Sequence, residues 1–191
     1  LVHLYEDRGI SCLQQLRGEF TFILWDERNQ ILLAARDRMG AKPLCYAQTG
    51  DSVSLASEAK AILAAGFPAN WDHDTFYQEV HGAEDPTRTL FRGIHRVPPG
   101  HYLVLRGGDL RIQRYWDSDF PRAEDLRALP DSRHIEDLRD ALNEAVRLRL
   151  GADVPIGIYL SGGVDSSCVL GMATQHVSNL NAFTICFPES P

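Results

Sequence analysis

Cysteine is scarce: Cys12, Cys45, Cys168 and Cys186 are the four in 191 residues, and no two form a Cys-x-x-Cys pair or a regular spacing. That argues against a disulfide framework and against a zinc site, and it fits a reducing cytosol. Long apolar runs are missing as well. The longest, 20–25 and 154–160, fall far short of the ~20 residues a membrane-spanning helix needs. No secretory leader is visible, because Glu6, Asp7 and Arg8 stand where its apolar core would run. Basic residues are outnumbered, with 19 Lys and Arg against 26 Asp and Glu and a formal net charge of -7. Proteins that live on nucleic-acid backbones usually carry the opposite excess, so nucleic acid is not expected as the main partner. Small phosphates need only a local site and stay open. The chain opens on Leu1 rather than Met, which leads to the expectation that the true start lies upstream.

What is present is a globular composition, 44% hydrophobic and 24% charged, in a chain long enough for one large domain or two small ones. Residues 1–16 carry helix-like spacing interrupted at Gly9. The period then changes. Residues 19–26 (EFTFILWD) and 30–35 (QILLAA) predict a hairpin turning at Glu27-Arg28-Asn29. Residues 44–48 and 52–56 predict a second hairpin around Thr49-Gly50-Asp51, and 100–106 with 110–115 a third around Gly107-Gly108-Asp109. Ser57 is placed to cap a helix over 58–65, with Glu58 near its positive end, and a further helix is expected over 74–81. The first 116 residues therefore read as antiparallel sheet with a few helices.

Residues 117–131 are polar, hold Pro121 and Pro130, and show weak periodicity; they read as a linker. Beyond them Ile135, Leu138, Leu142, Ala145 and Val146 recur at helical spacing. A strand over 155–160, a glycine loop, a helix over 165–175 and a strand over 182–187 then make a parallel strand–helix–strand unit. Two strands bury too little to be a domain alone, so the C-terminal end is expected to be incomplete too.

The strongest chemical signal is Ser161-Gly162-Gly163-Val164-Asp165-Ser166-Ser167, directly after an apolar strand and opening a helix. Glycines let the backbone turn sharply and approach a ligand. Free N–H groups at a helix start favour an anion, and serine hydroxyls add donors. Asp165 can hold magnesium against phosphates, since hard cations prefer carboxylate oxygens. There is no Gly-Lys-Ser/Thr and no lysine, so this is not a Walker loop. The bland alternative is a glycine turn with a helix cap, which the flanking serines and aspartate weigh against. Elsewhere the bland reading holds. Arg36-Asp37-Arg38 with Gly40 and Pro43 is a strand exit and tight turn; His81 and His101 are isolated; Cys168 and Cys186 are expected as small core residues.

Val154-Pro155 and Leu160 followed by SGGVDSS resemble the pyrophosphate loop of ATP pyrophosphatases. The stretch from Arg147 through Asp153-Val154-Pro155-Ile156-Gly157 to Ser167 is similar to asparagine synthetases in particular. Leu16-Arg17-Gly18-Glu19-Phe20, Trp25-Asp26, Ala35-Arg36-Asp37-Arg38, Lys42-Pro43-Leu44, Ser57-Glu58 and Val97-Pro98-Pro99-Gly100-His101 resemble the back part of that family's glutaminase domain; Cys45 departs from its usual aromatic. The resemblance covers nearly the whole chain except the linker.

It implies an α+β fold, a partial Ntn-hydrolase-like antiparallel sandwich over 1–116, then a linker over 117–131 and a partial α/β parallel-sheet nucleotide-binding domain over 132–191. It implies a cytoplasmic enzyme that takes glutamine, aspartate and ATP with Mg2+. Ammonia released from glutamine would convert an aspartyl-adenylate to asparagine, with a homodimer compatible. The resemblance assigns Leu160, Ser161, Gly162, Gly163, Asp165, Ser166 and Ile185 to the nucleotide, with Asp165 toward the metal. The glutaminase nucleophile, an N-terminal cysteine, has no counterpart here, since position 1 is Leu; no catalytic residue is carried over, and the 191 residues by themselves are expected to be inactive. A β-lactam synthetase-like or other specialised amide-forming relative, a noncatalytic nucleotide-binding paralogue and a tRNA-modifying pyrophosphatase are the competing readings; the acidic balance and the glutaminase half weigh against the last.

Overall fold

The computed structural model describes residues 1–83, 85–125 and 129–187. The chain divides into two compact units, Leu1–Phe120 and Pro121–Pro191. Among the described residues no helix is long and apolar enough to cross a membrane.

The first unit starts with α1 (Val2–Arg8), which passes at Gly9 into a 3-10 helix, Gly9–Gln15. A four-stranded antiparallel sheet follows the order β1 (Thr21–Asp26), β2 (Ile31–Arg36), β6 (His101–Arg106), β7 (Asp109–Arg114). A second antiparallel sheet has β3 (Cys45–Thr49) between β4 (Ser52–Ala56) and β5 (Ile94–Arg96).

Alternation along the strands explains how these layers stack. In β2, Leu33, Ala34 and Ala35 are all fully buried, because both faces of the strand are covered. Ala34 packs with Leu103 of β6 and with Leu44 and Val97, which flank the second sheet. Ala35 points the other way, onto Cys12 and Leu13 of the 3-10 helix. Tyr46 of β3 turns toward the first sheet, whereas Cys45 and Ala47 pack with Ile62 of α2 (Ala59–Ala64). The order is helix, sheet, sheet, helix, and the unit belongs to the α+β class. Cys45, the departure from the family's aromatic, is a small residue filling the interface under α2.

Three details differ from the sequence-based expectation. The cap of α2 is Glu58, which makes no side-chain cap bond; Ser57 stands one residue too early. Helix α3 (His73–Val80) starts at Asp72, whose carboxylate accepts the Thr75 N–H at 3.2 Å and the Arg88 guanidinium at 2.6 Å. That ion pair, then the Thr75 amide, hold the Asp72 carboxyl below its usual range. The three-residue strand β5 was not foreseen.

Between β2 and β3 the chain makes a tight buried turn. Asp37 is 1% exposed and accepts the amides of Met39 (3.2 Å), Ala41 (2.9 Å) and Lys42 (2.9 Å). Arg36 donates to the carbonyls of Gly40, Lys42 and Val97 at 2.8–2.9 Å. The Tyr115 hydroxyl donates to the Arg36 carbonyl at 2.9 Å, and burial pushes its pKa up to about 12. Gly100 sits at φ +67°, and a Cβ there would meet the Trp116 carbonyl oxygen at 2.5 Å. The Gly100 carbonyl accepts the amides of both Tyr115 and Trp116. The structural reading of the Arg36-Asp37-Arg38 segment is what these contacts describe.

The second unit holds a 3-10 turn, Ala123–Asp125, then α4 (Asp131–Arg149), β8 (Gly157–Tyr159), α5 (Val164–Ala173) and β9 (Asn181–Phe183). Residues 126–128 of the expected linker and 188–191 of the expected second domain lie outside the described residues. Helix α4 carries Arg133–Asp137 and Arg147–Glu144 ion pairs one turn apart. Strands β8 and β9 are parallel, Gly157 opposite Asn181. β9 ends at Phe183, short of the expected 187. Cys168 and Cys186 are exposed rather than core, since a two-stranded sheet and its helices offer little to bury against.

Candidate functional site

The strand-to-helix junction of the second unit gathers most of the residues singled out from the sequence. β8 and β9 approach closely at Gly157, where a Cβ would come within 2.6 Å of the Phe183 ring. At the end of β8 the Leu160 amide donates to the Phe183 carbonyl at 2.8 Å, and the Leu160 carbonyl accepts the Thr184 hydroxyl at 2.7 Å. Thr184 thus holds the two strand ends together where the loop begins. Sequence reasoning missed it; its place next to Ile185 at a strand end was the available signal.

The chain then turns at Gly162, φ +80°, a conformation open to glycine at little cost. Gly163, extended, is the cap residue of α5 and offers no side chain to the helix start. The amides of Gly162, Val164 and Asp165 have no hydrogen-bond partner among the described residues, consistent with the unpaired first turn of a helix. Together with the helix dipole they make a positive end that suits an anion.

Three hydroxyls surround these amides. Ser166 Oγ lies 3.1 Å from the Gly163 carbonyl, 3.2 Å from the Ser161 amide and 3.0 Å from Ser161 Oγ. Ser161 Oγ accepts the Gly163 amide at 3.4 Å, and Ser167 Oγ donates to the Gly163 carbonyl at 2.8 Å. The Asp165 side chain is exposed and makes no hydrogen bond or ion pair among the described residues.

The structure brings Leu160, Ser161, Gly162, Gly163, Asp165 and Ser166 around one turn. Ile185 does not join them as a strand residue: it lies two positions past the end of β9, with 77% of its surface exposed.

The donor set suits a polyphosphate, with unpaired amides, hydroxyls and no competing acidic partner on the turn other than Asp165. For magnesium, no group of three or more His, Cys, Asp or Glu side chains is gathered for a metal among the described residues. A lone free carboxylate is nonetheless what Mg2+ uses when substrate phosphates and water complete its octahedron. The first unit holds a cavity of about 470 Å3 between α1 and the β1–β2 hairpin, with Tyr5, Trp25 and Asp26 in its wall.

Residues 1–116 match the family model for a glutamine amidotransferase domain, and residues 137–191 the model for asparagine synthase. An amidotransferase module followed by a synthase module defines the class. The chain belongs to the glutamine-hydrolysing asparagine synthetase family. It is 40% identical to amidase chyE of Penicillium rubens and 42% to amidase chry2 of Gibberella zeae, over 99% of this chain and 30% of each relative. Asparagine synthetase 3 of Bacillus subtilis is 35% identical over 100% of this chain and 32% of its own length. The chain therefore spans about a third of the length of these curated relatives.

Proposed function

We propose that the whole protein makes a carboxamide in an ATP-dependent reaction, with nitrogen taken from glutamine, and that the turn 160–167 holds the pyrophosphate portion of the ATP. The observation that carries this reading is the cluster of unpaired amides at Gly162, Val164 and Asp165, set between a strand end and a helix start in a chain of this family.

The chemistry assigns each group a part. ATP, as substrate, passes its adenylyl group to the acid's carboxylate; the bond between the α-phosphorus and the bridging oxygen breaks, and pyrophosphate leaves. Ammonia then attacks the acyl carbon, AMP departs, and the amide forms. The charge that grows on the leaving pyrophosphate faces donors already in position, which is how a fixed site stabilises it. Asp165 would hold Mg2+, which when bound screens phosphate charge. We place the acid as aspartate and the product as asparagine, with glutaminase and synthetase steps both belonging to the whole protein. A cytosolic setting is supported by four free thiols, two of them exposed.

A second reading has a specific observation behind it. Identity is higher to the two proteins called amidases, 40% and 42%, than to the Bacillus asparagine synthetase, 35%. That favours a specialised acid in place of aspartate. One experiment separates the readings: pyrophosphate release by the full-length protein with ATP, Mg2+ and glutamine, supplied with aspartate or with other carboxylic acids. Aspartate-dependent release supports asparagine synthesis. Release with another acid alone supports the specialised reading. No release with any acid, together with no retention of ATP, overturns both.

A further inference from the structure

Helix α3 buries one side and leaves the other bare. Thr75 is buried and Gln78 and Glu79 are half-buried, so helical periodicity turns Phe76, Tyr77 and Val80 outward. Trp71, just before the helix, is pinned beside them. Its ring lies 5.5 Å from that of Phe91 and edge-on to Phe76 at 6.3 Å. Trp71, Phe76, Tyr77 and Val80 are 52%, 51%, 64% and 65% exposed. Aromatic side chains carry about 150–250 Å2 each, so the three rings alone put roughly 250–400 Å2 of apolar surface on one face. A continuous apolar patch of that size is the kind that marks an interaction site.

The polar residues at the two ends of the face indicate what fits it. Asp74 stands in the first turn and His81 just past the last, about two turns apart on the same flank. His81 Nδ1 donates to the Tyr77 carbonyl at 2.8 Å, and its ring stacks on Tyr77 at 4.1 Å. Its Nε2 and the Asp74 carboxylate have no hydrogen-bond partner among the described residues. A twofold axis crossing the helix between Tyr77 and Gln78 sets a second α3 antiparallel to the first. Asp74 of each copy then faces His81 of the other, Phe76 meets Val80, and the two Tyr77 rings sit at the axis. Carboxylate meets imidazole at both ends of an apolar centre. We infer that the outward face of α3 is where two copies of this protein associate. The paired faces remove roughly 500–800 Å2 of apolar surface within a polar rim, the low end for a specific interface, so the dimer dissociates in the roughly micromolar range. This association does not depend on what the turn at 160–167 binds.

Sedimentation velocity of the full-length protein from about 1 to 100 μM tests it. Wild type is expected to pass from monomer to dimer across that range. Tyr77→Glu, which sets two carboxylates at the axis, is expected to weaken the dimer about 10-fold or more. Asp74→Lys loses the attraction at both ends and His81→Glu sets carboxylates against each other, for an expected weakening of about 3- to 10-fold each. The two together restore opposite pairs between copies and are expected to return the constant to within about 3-fold of wild type. Within one copy positions 74 and 81 are roughly 10 Å apart along the axis, and each substitution opposes the helix dipole. Harm confined to α3 would therefore accumulate in the double variant instead of cancelling. Wild type that stays monomeric throughout, or a double variant no better than the singles, overturns the inference. A dimer indifferent to Tyr77→Glu does so too, and if that variant lowers Tm the face is covered by the protein's own chain.

Discussion

Removing the Asp37 carboxylate is the most direct way to probe the turn between β2 and β3. The side chain is 1% exposed and receives three main-chain amides, from Met39 and Ala41 on one oxygen and Lys42 on the other. Hydrogen bonds to a charged group contribute about 1.5–3 kcal/mol each, and the amides left behind would have to find water. The three share one acceptor group and do not add fully. The backbone bonds from Gly40 and Gly100 to the Asp37 carbonyl survive the change. Asp37→Ala is therefore expected to cost about 3–5 kcal/mol. Asp37→Asn keeps one acceptor oxygen but sets an NH2 group against an amide donor, for an expected loss of about 2 kcal/mol or more. In a unit of this size the Ala loss corresponds to a fall in Tm of roughly 10 to 20 °C. The assay is calorimetry of the full-length protein, with the transition assigned by hydrogen–deuterium exchange in peptides covering 36–43. An Asp37→Ala protein within about 1 kcal/mol of wild type, or an Asp37→Asn protein indistinguishable from it, would refute the claim that this carboxylate organises the turn.

Three further changes test other parts of the fold. Tyr115→Phe removes the bond to the Arg36 carbonyl and is expected to cost about 1 kcal/mol. The phenol, held up to about 12 against an ordinary value near 10, contributes stability that is present below pH ~10 and lost as pH rises toward 12. Melting curves across that window should fall less steeply for the variant, with Tyr5, also held up to about 12, keeping its own share. Asp72, with its carboxyl held below the ordinary value, contributes stability that is full above pH ~3.9 and lost as pH falls further. Asp72→Asn should weaken α3 near neutrality and flatten that acid limb in a pH series of melting temperatures. Gly100→Ala meets the Trp116 carbonyl at 2.5 Å from a φ of +67° and is expected to cost about 2 kcal/mol or more, read as a drop in Tm.

The hairpins were legible because five- to six-residue segments of apolar or alternating apolar and polar residues, such as Asp109–Arg114 (DLRIQR), are separated by short glycine or polar turns. β2 was legible for a different reason: an unbroken apolar run is what a strand covered on both faces requires. β5 was not, since three residues carry no periodicity and the strand exists through its pairing with β3. The Asp72 cap is a local bond to the Thr75 amide that was passed over for a helix start at Asp74, whereas its ion pair with Arg88, sixteen residues away, lies beyond any local pattern. Cys168 and Cys186 fit an apolar pattern yet are exposed, because burial depends on what the sheet has to pack against and not on the residue's own character. At the candidate site, motif spacing identified the residues of the turn. It could not reveal that β9 ends at Phe183, before Ile185.

Tyr115 and Trp116 hang from Gly100 by two main-chain hydrogen bonds, and Tyr115 is tied to Arg36 by a third. Anyone building chimaeras from this chain should place the seam after Trp116. A junction two residues earlier would discard the fastener that joins β6 to the turn at 36–43, and the first unit would lose its closing stitch although every strand remained.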